Sequence, residues 1–249
     1  NKVIYMQRVL GKIITANELF NLIENGDKIA IGVSGGKDSM VLLYALSLLR
    51  NFLNFNFDIV GITLQLGFPD MDFTRIHDFC KAKNIEYHLI PTKVYDILSE
   101  KRDKNNKIQC SLCAKFKKGI LINEAKKLAC NKVAMAHHLD DGIETLFMNA
   151  IYNGYLASFK PKMYLDKENI TFIRPLILCP EKDIISDALK NHLPIVKSTC
   201  VNDKKTSREK VKNWLNKDVY QKFPEARVNF PNMLLNKERV ILWEEQKKD

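Results

Sequence analysis

Residues 28–49 read KIAIGVSGGKDSMVLLYALSLL, and this stretch decides the fold. An apolar run from Lys28 to Ser34 enters a glycine-rich loop, and the loop opens directly into a run with helical apolar spacing. The loop breaks the common phosphate-loop rule, which wants Gly five residues before the Gly-Lys pair and Ser or Thr after the Lys. Ile31 holds the first of those positions and Asp38 follows Lys37. The ingredients of an anion cradle are nevertheless present. Gly35 and Gly36 permit a tight turn that gathers backbone N–H groups around one anion, and the helix start adds partial positive charge. Lys37 supplies a mobile cation, and Ser34 and Ser39 supply hydroxyl donors. The Asp38 carboxylate repels phosphate unless it binds Mg²⁺ or caps the helix. The plainer alternative is a strand-to-helix turn with a Ser and Asp cap.

On either side the chain alternates strand-like and helix-like segments. Apolar runs at 57–66, 85–92, 132–138 and 170–178 read as further strands, with helical spacing between them. This alternation predicts an α/β protein with a parallel sheet of about five strands covered by helices on both faces. Right-handed crossovers put the strand ends at Ser34, Leu66, Thr92, His137 and Pro175 on one edge. A helix precedes the first strand. After Pro180 the texture turns polar and helical, so the expected organisation is a domain over 1–182 and a small helical extension over 183–249.

Among the 249 residues, 39 Lys and Arg against 29 Asp and Glu give a net charge of +10. That sign favours an anionic partner such as nucleic acid or a membrane surface, with a simple solubility surplus as the alternative. No apolar run reaches bilayer length, and the first residues lack the pattern of a secretory signal, so the expectation is a cytoplasmic protein with no membrane partner.

Six cysteines in a chain of this length do not suggest a disulfide framework. Cys110 and Cys113 form a C-x-x-C pair at a predicted helix start beside Lys115, Lys117 and Lys118. The helix dipole and these cations favour thiolate, which binds metal or accepts sulfur. Cys200, in the polar segment KSTCVNDKK, is the third candidate. Structural zinc, a redox pair and a persulfide relay are the competing uses. Cys80 lies at core spacing with Ile76 and Phe79, and packing is the default for Cys130 and Cys179.

SGGKDS resembles the PP-loop of the N-type ATP pyrophosphatases, which cleave ATP between the α- and β-phosphates. Taken with CSLCAKFKKGIL, HHLDDGIETLFMN, YNG, IRPL and EKDI in that order, the chain resembles the tRNA 2-thiocytidine biosynthesis family (TtcA) from about Arg8 to about Trp214. The resemblance implies a Rossmann-like, adenine nucleotide alpha hydrolase-like fold. It further implies ATP with Mg²⁺, a 4Fe-4S cluster held by three cysteines, sulfur supplied through a cysteine desulfurase, and a tRNA substrate at anticodon-loop cytidine 32. Such enzymes are often homodimers. Ser34, Gly35, Gly36, Lys37, Asp38 and Ser39 match the pyrophosphate loop; Lys37 and Asp38 are counted with the catalytic residues. Cys110 and Cys113 match the first two cluster ligands, and Cys200 is taken as the third. His137, His138, Asp140 and Asp141 match a segment near the nucleotide, and Arg174 with Pro175 matches a strand end. The acidic pair also makes an ordinary helix start.

The implied chemistry is adenylation of a pyrimidine C2 oxygen and its replacement by sulfur; the basic run Lys204, Lys205, Arg208, Lys210 and Lys212 reads either as a contact for tRNA phosphates or as a solvated helix face. The chain departs from the family in two respects, one being that LQLGFPD keeps the family's Gly-Phe-Pro but is shortened before it. A second C-x-x-C is common near Cys200, whereas KSTC has one thiol. A paralogue acting on another tRNA nucleoside, a lysidine synthetase-like ligase without sulfur chemistry, and a non-catalytic iron–sulfur or nucleotide-binding regulator are the rival readings.

Overall fold

A computed structural model describes residues 6–68, 71–101, 110–197, 199, 206–236 and 238, with Cys110 described as a helix position. The elements of the first part are α1 (Gln7–Phe20), β1 (Lys28–Gly32), α2 (Lys37–Leu49), β2 (Asp58–Gln65), α3 (Thr74–Ala82), β3 (Glu86–Pro91), α4 (Val94–Glu100), α5 (Cys110–Lys127) and β4 (Lys132–Ala134). They are followed by α6 (Leu139–Met148), β5 (Lys162–Leu165), β6 (Ile170–Ile173), α7 (Glu181–Lys190), α8 (Ser207–Trp214), α9 (Tyr220–Lys222) and α10 (Ala226–Leu235).

The six strands form one sheet in the order β3-β2-β1-β4-β6-β5. All neighbours are parallel except β5 and β6. The five parallel strands are those expected from the sequence. The sixth, β5, is added antiparallel at the edge through the turn that joins Leu165 to Ile170. β1 is central and its middle residues Ile29, Ala30 and Ile31 are fully buried, as a strand covered on both faces requires. α2 buries Met40, Val41, Leu42, Leu43, Ala45, Leu46 and Leu49 and so is apolar nearly all round, the pattern of a helix enclosed by its neighbours. Because β1 pairs with β2 on one side and β4 on the other, the strand order reverses beside β1. A parallel sheet opens a crevice beyond the strand C-termini at such a reversal.

The chain forms two compact units: Asn1–His138 with Lys160–Lys204, and Leu139–Phe159 with Lys205–Asp249. The sheet lies wholly in the first. Residues 183–197, read from sequence with the C-terminal extension, group with the sheet, whereas 139–159 group with the C-terminal helices. The core of the second unit is Ile143, Val211, Leu215, Tyr220 and Ala226. α8 starts at Thr206, whose side chain accepts a hydrogen bond from the Glu209 N–H, an N-cap of the T-x-x-E kind. Among the described residues no helix is long and apolar enough to cross a membrane.

Candidate active site

The loop follows β1 at the strand reversal. Its approach is held by Thr63 of β2, a buried residue whose Oγ1 donates to the Val33 carbonyl at 2.8 Å. Ser39, in the first turn of α2, organises the turn from inside. Its Oγ accepts from the Ser34 N–H at 3.2 Å, donates to the Gly36 carbonyl at 2.9 Å, and lies 3.1 Å from the Ser34 Oγ. The Gly36 N–H donates to the Ser34 Oγ at 3.3 Å. Gly35 has φ +86°, and a Cβ there would sit 3.0 Å from the Val196 Cβ and 3.3 Å from the Phe73 ring. Both the left-handed backbone and the space require glycine.

Lys37 begins α2. Its Nζ lies 2.9 Å from Asp38 Oδ1 and 3.0 Å from Glu181 Oε1, the first residue of α7. Burial pulls the lysine pKa down, but hydrogen bonds and charge from Asp38 and then Glu181 more than offset it. The pKa therefore ends above the ordinary lysine value, and Lys37 is a cation. Asp38 is also 3.9 Å from Nε2 of the buried His138.

Next to the loop, at the C-terminal ends of β1, β2, β4 and β6, is a cavity of about 450 Å³. Ile62, Leu64, Met135 and Phe172 supply apolar walls, while Ser34, Lys117, Lys118, His137 and Arg174 supply polar groups. Arg174 is fixed by a 2.6 Å bond from Nη1 to the Lys160 carbonyl, and its Nε donates to His137 Nδ1 at 3.3 Å. In that contact Nδ1 is the acceptor. Lys118 Nζ stands 5.1 Å from the centre of the Phe172 ring, a cation–π contact. An apolar slot with a few fixed polar groups, adjoining an anion cradle, suits a flat heteroaromatic base joined to phosphate.

Cys113 is half-buried against a cluster formed by Phe68, Val94 and Leu98, together with Leu66 and Met71. Leu66 and Met71 also line the cavity, as does Ala114, the residue after Cys113 in α5. Cys110, the first residue of α5, is one helical turn away on the same helix. Cys200 lies outside the described residues, as do Lys204 and Lys205. Cys80, Cys130 and Cys179 are buried, and burial pushes their thiols up to about 11, 11 and 12 respectively.

The structure thus brings Ser34, Gly35, Gly36, Lys37, Asp38, Ser39, His137, His138 and Arg174 to one edge of one sheet, while Cys113 stands in the first turn of α5 beside the cavity-lining Ala114. Asp140 and Asp141 open α6 in the second unit, where Asp141 accepts from Arg208 at 2.9 Å. Arg208 also donates to the Thr145 hydroxyl at 2.9 Å, so it ties α8 to α6. Sequence reasoning missed Glu181 as part of the loop's surroundings, and it treated Lys117 and Lys118 only as neighbours of the cysteines. The signal for Glu181 was present in EKDI at a helix start, but its partner is remote in sequence.

The PP-loop domain family matches residues 7–219. The tRNA-cytidine(32) 2-sulfurtransferase of Geobacter sulfurreducens is 41% identical over 181 residues, covering 73% of this chain and 70% of that protein. The enzyme of the same name from Pelobacter propionicus is 35% identical over 232 residues, covering 93% and 85%. In structure, the chain is similar to the U34-tRNA thiolase NcsA from Methanococcus maripaludis, solved with its 4Fe-4S cluster. The TM-score is 0.74 at 22% sequence identity, over 95% of this chain and 80% of that one. The loop, the sheet order around it and these likenesses place the chain in the PP-loop superfamily, as a member of the tRNA 2-thiocytidine biosynthesis family.

Proposed function

We propose that the protein is an ATP-dependent, iron–sulfur-dependent tRNA sulfurtransferase that converts anticodon-loop cytidine 32 to 2-thiocytidine. The observation that carries this reading is the cavity beside the anion cradle, lined by Ser34 of the loop and by Ala114, which follows Cys113 in α5. The amides around Gly35 and Gly36, the start of α2 and the Lys37 ammonium hold the β- and γ-phosphates of ATP and stabilise charge on the departing pyrophosphate. Asp38, on the rim of the cradle, is the carboxylate placed to take Mg²⁺. The target pyrimidine is turned out of its stack, as single-stranded RNA allows at low cost. Its C2 oxygen attacks the α-phosphate, pyrophosphate leaves, and the resulting adenylyl group makes that oxygen a leaving group. Sulfur then takes its place and AMP departs.

The donor set fits an iron–sulfur cluster: thiols are its usual ligands, and the C-x-x-C pair stands at a helix start next to a partly apolar pocket. Cys110, Cys113 and Cys200 would hold it, and when bound it would supply sulfur to C2, with a cysteine desulfurase as the source. Arg174, His137, Lys117 and Lys118 orient the base and phosphates from the cavity wall. His138, Asp140 and Asp141 are assigned to the nucleotide on the family resemblance.

Nucleoside mass spectrometry tests the reading. Cells lacking the gene should lose 2-thiocytidine from tRNA, and the wild-type gene should restore it while Lys37→Ala and Cys113→Ser do not. Anaerobically purified protein should contain iron. Unchanged 2-thiocytidine in the deletion, or a colourless protein with stoichiometric zinc, would sink the proposal.

A further inference from the structure

We propose that Glu181 is a positioning residue for Lys37, and that α7 with the turn after it is the brace that sets the geometry of the loop. The inference rests on reading the loop as a pyrophosphate cradle.

A lysine side chain has four rotatable bonds, and nothing in the sequence of the loop directs it. Asp38 cannot fix the ammonium alone, because it rides on the same helix turn and moves with it. Glu181 comes from a different element and meets Lys37 Nζ at 3.0 Å, in addition to the 2.9 and 3.2 Å contacts with the two Asp38 oxygens. Both carboxylates are more than two-thirds withdrawn from solvent, with side chains 32% and 19% exposed for Asp38 and Glu181, so the pair is less screened than a surface ion pair. Glu181 is itself well placed: it stands in the first turn of α7, where a carboxylate is favoured, and buried Ile184 anchors that helix in the core.

The same segment grips the loop a second time. The Val196 N–H donates to the Gly35 carbonyl at 2.9 Å, and the Val196 side chain fills the space that a Cβ on Gly35 would need. Glu181 and Val196 thus bracket the loop, one on its cation and the other on its backbone. An ammonium has three N–H groups. Asp38 takes them through both oxygens, at 2.9 and 3.2 Å, and Glu181 through Oε1 at 3.0 Å, so the ammonium is held from two elements until a phosphate oxygen displaces one contact.

Charge gives this arrangement a recognisable signature. Lys37, Asp38 and Glu181 together carry a net charge of −1, so Glu181 weakens the attraction of the loop for an anion while it directs the cation. Removing its charge without changing its shape therefore tightens ground-state binding and slows the reaction. A residue that merely stabilised the fold would move neither quantity in that pattern.

The test uses the full-length protein and the variants Glu181→Gln, which keeps shape and loses charge, and Glu181→Asp, which keeps charge and loses reach. Without nucleotide, acylation of Lys37 by an amine-reactive reagent, followed by mass spectrometry, should be several-fold faster in Glu181→Gln. Titration calorimetry with inorganic pyrophosphate and Mg²⁺ should show Glu181→Gln binding about three- to tenfold tighter. Its turnover of ATP to AMP with tRNA should fall on the order of tenfold or more. Glu181→Asp should bind pyrophosphate within about twofold of wild type and also turn over slowly. Unchanged labelling, affinity and turnover in Glu181→Gln would overturn the proposal, as would a joint loss of thermal midpoint and pyrophosphate binding. Failure of the wild-type protein to bind pyrophosphate overturns the cradle reading itself. Wild-type binding with no response to Glu181→Gln overturns only the positioning role.

Discussion

Two lysines of the first unit each meet two carboxylates, and they do opposite things. Lys132 of β4 is 5% exposed, and its Nζ lies 2.7 Å from Asp27, 2.7 Å from Glu24 and 3.0 Å from the Leu22 carbonyl. Each of its three N–H groups has an oxygen, and Asp27 is as buried as the lysine. Lys37 is 29% exposed and has Asp38 and Glu181 as its carboxylate partners. The first arrangement is complete and locks the segment after α1 onto the sheet. The second is held by three carboxylate oxygens, two of them on the neighbouring Asp38, in a loop beside a cavity. Two ion clusters with the same ingredients thus differ in exposure, 5% for Lys132 against 29% for Lys37, and that difference separates a structural cation from one a ligand can reach.

The comparison can be broken most forcefully at Lys132. Replacing it with Ala leaves the buried Asp27 without its cation, and the expected cost is about 3–5 kcal/mol. Urea denaturation should show this as a lower midpoint, while the correctly folded fraction should still bind pyrophosphate. Loss of binding with unchanged stability would show the two clusters to be coupled.

Gly35→Ala sharpens the other side. The left-handed φ and the 3.0 Å approach to Val196 should cost about 1–2 kcal/mol of stability. The displaced loop should also weaken pyrophosphate binding on the order of tenfold by calorimetry. Native-like affinity in this variant would mean that the loop backbone does not carry the cradle.

The smallest effect belongs to Glu24. Hydrogen bonds from Lys132, then Lys162 and Asn21, lower its carboxyl from 4.5 to about 2. A depressed carboxyl contributes stability that is present above pH 4.5 and is lost as pH falls from there towards about 2. The side chain is 47% exposed, so screening should limit the effect to under about 1 kcal/mol. Urea midpoints at pH 7 and pH 3 should differ slightly less in Glu24→Gln than in wild type.

The parallel sheet was legible because its strands are nearly continuous apolar runs and the loop after the first is rich in glycine. β5 was not, since KMYL is short, sits at an edge and needs only one neighbour. The composition of the pyrophosphate loop could be read residue by residue from Ser34 to Ser39. Its support could not, because Thr63, Glu181 and Val196 reach it from separate elements, and sequence periodicity reports which face of an element is buried, not which remote side chain it meets. The regrouping of 139–159 with the C-terminal helices escaped for the same reason: Ile143 finds Val211, Leu215 and Tyr220 only in three dimensions.

That regrouping has a consequence for synthesis. α6 emerges from the ribosome before residues 160–204, yet its apolar partners Val211, Leu215 and Tyr220 come after them. At about 5–20 residues per second, Ile143 waits several seconds for its permanent cover. The sheet can close in the meantime, so the second unit is the late step of vectorial folding, and its unfilled apolar seam is the interval in which a nascent chain is most open to chaperones or to aggregation.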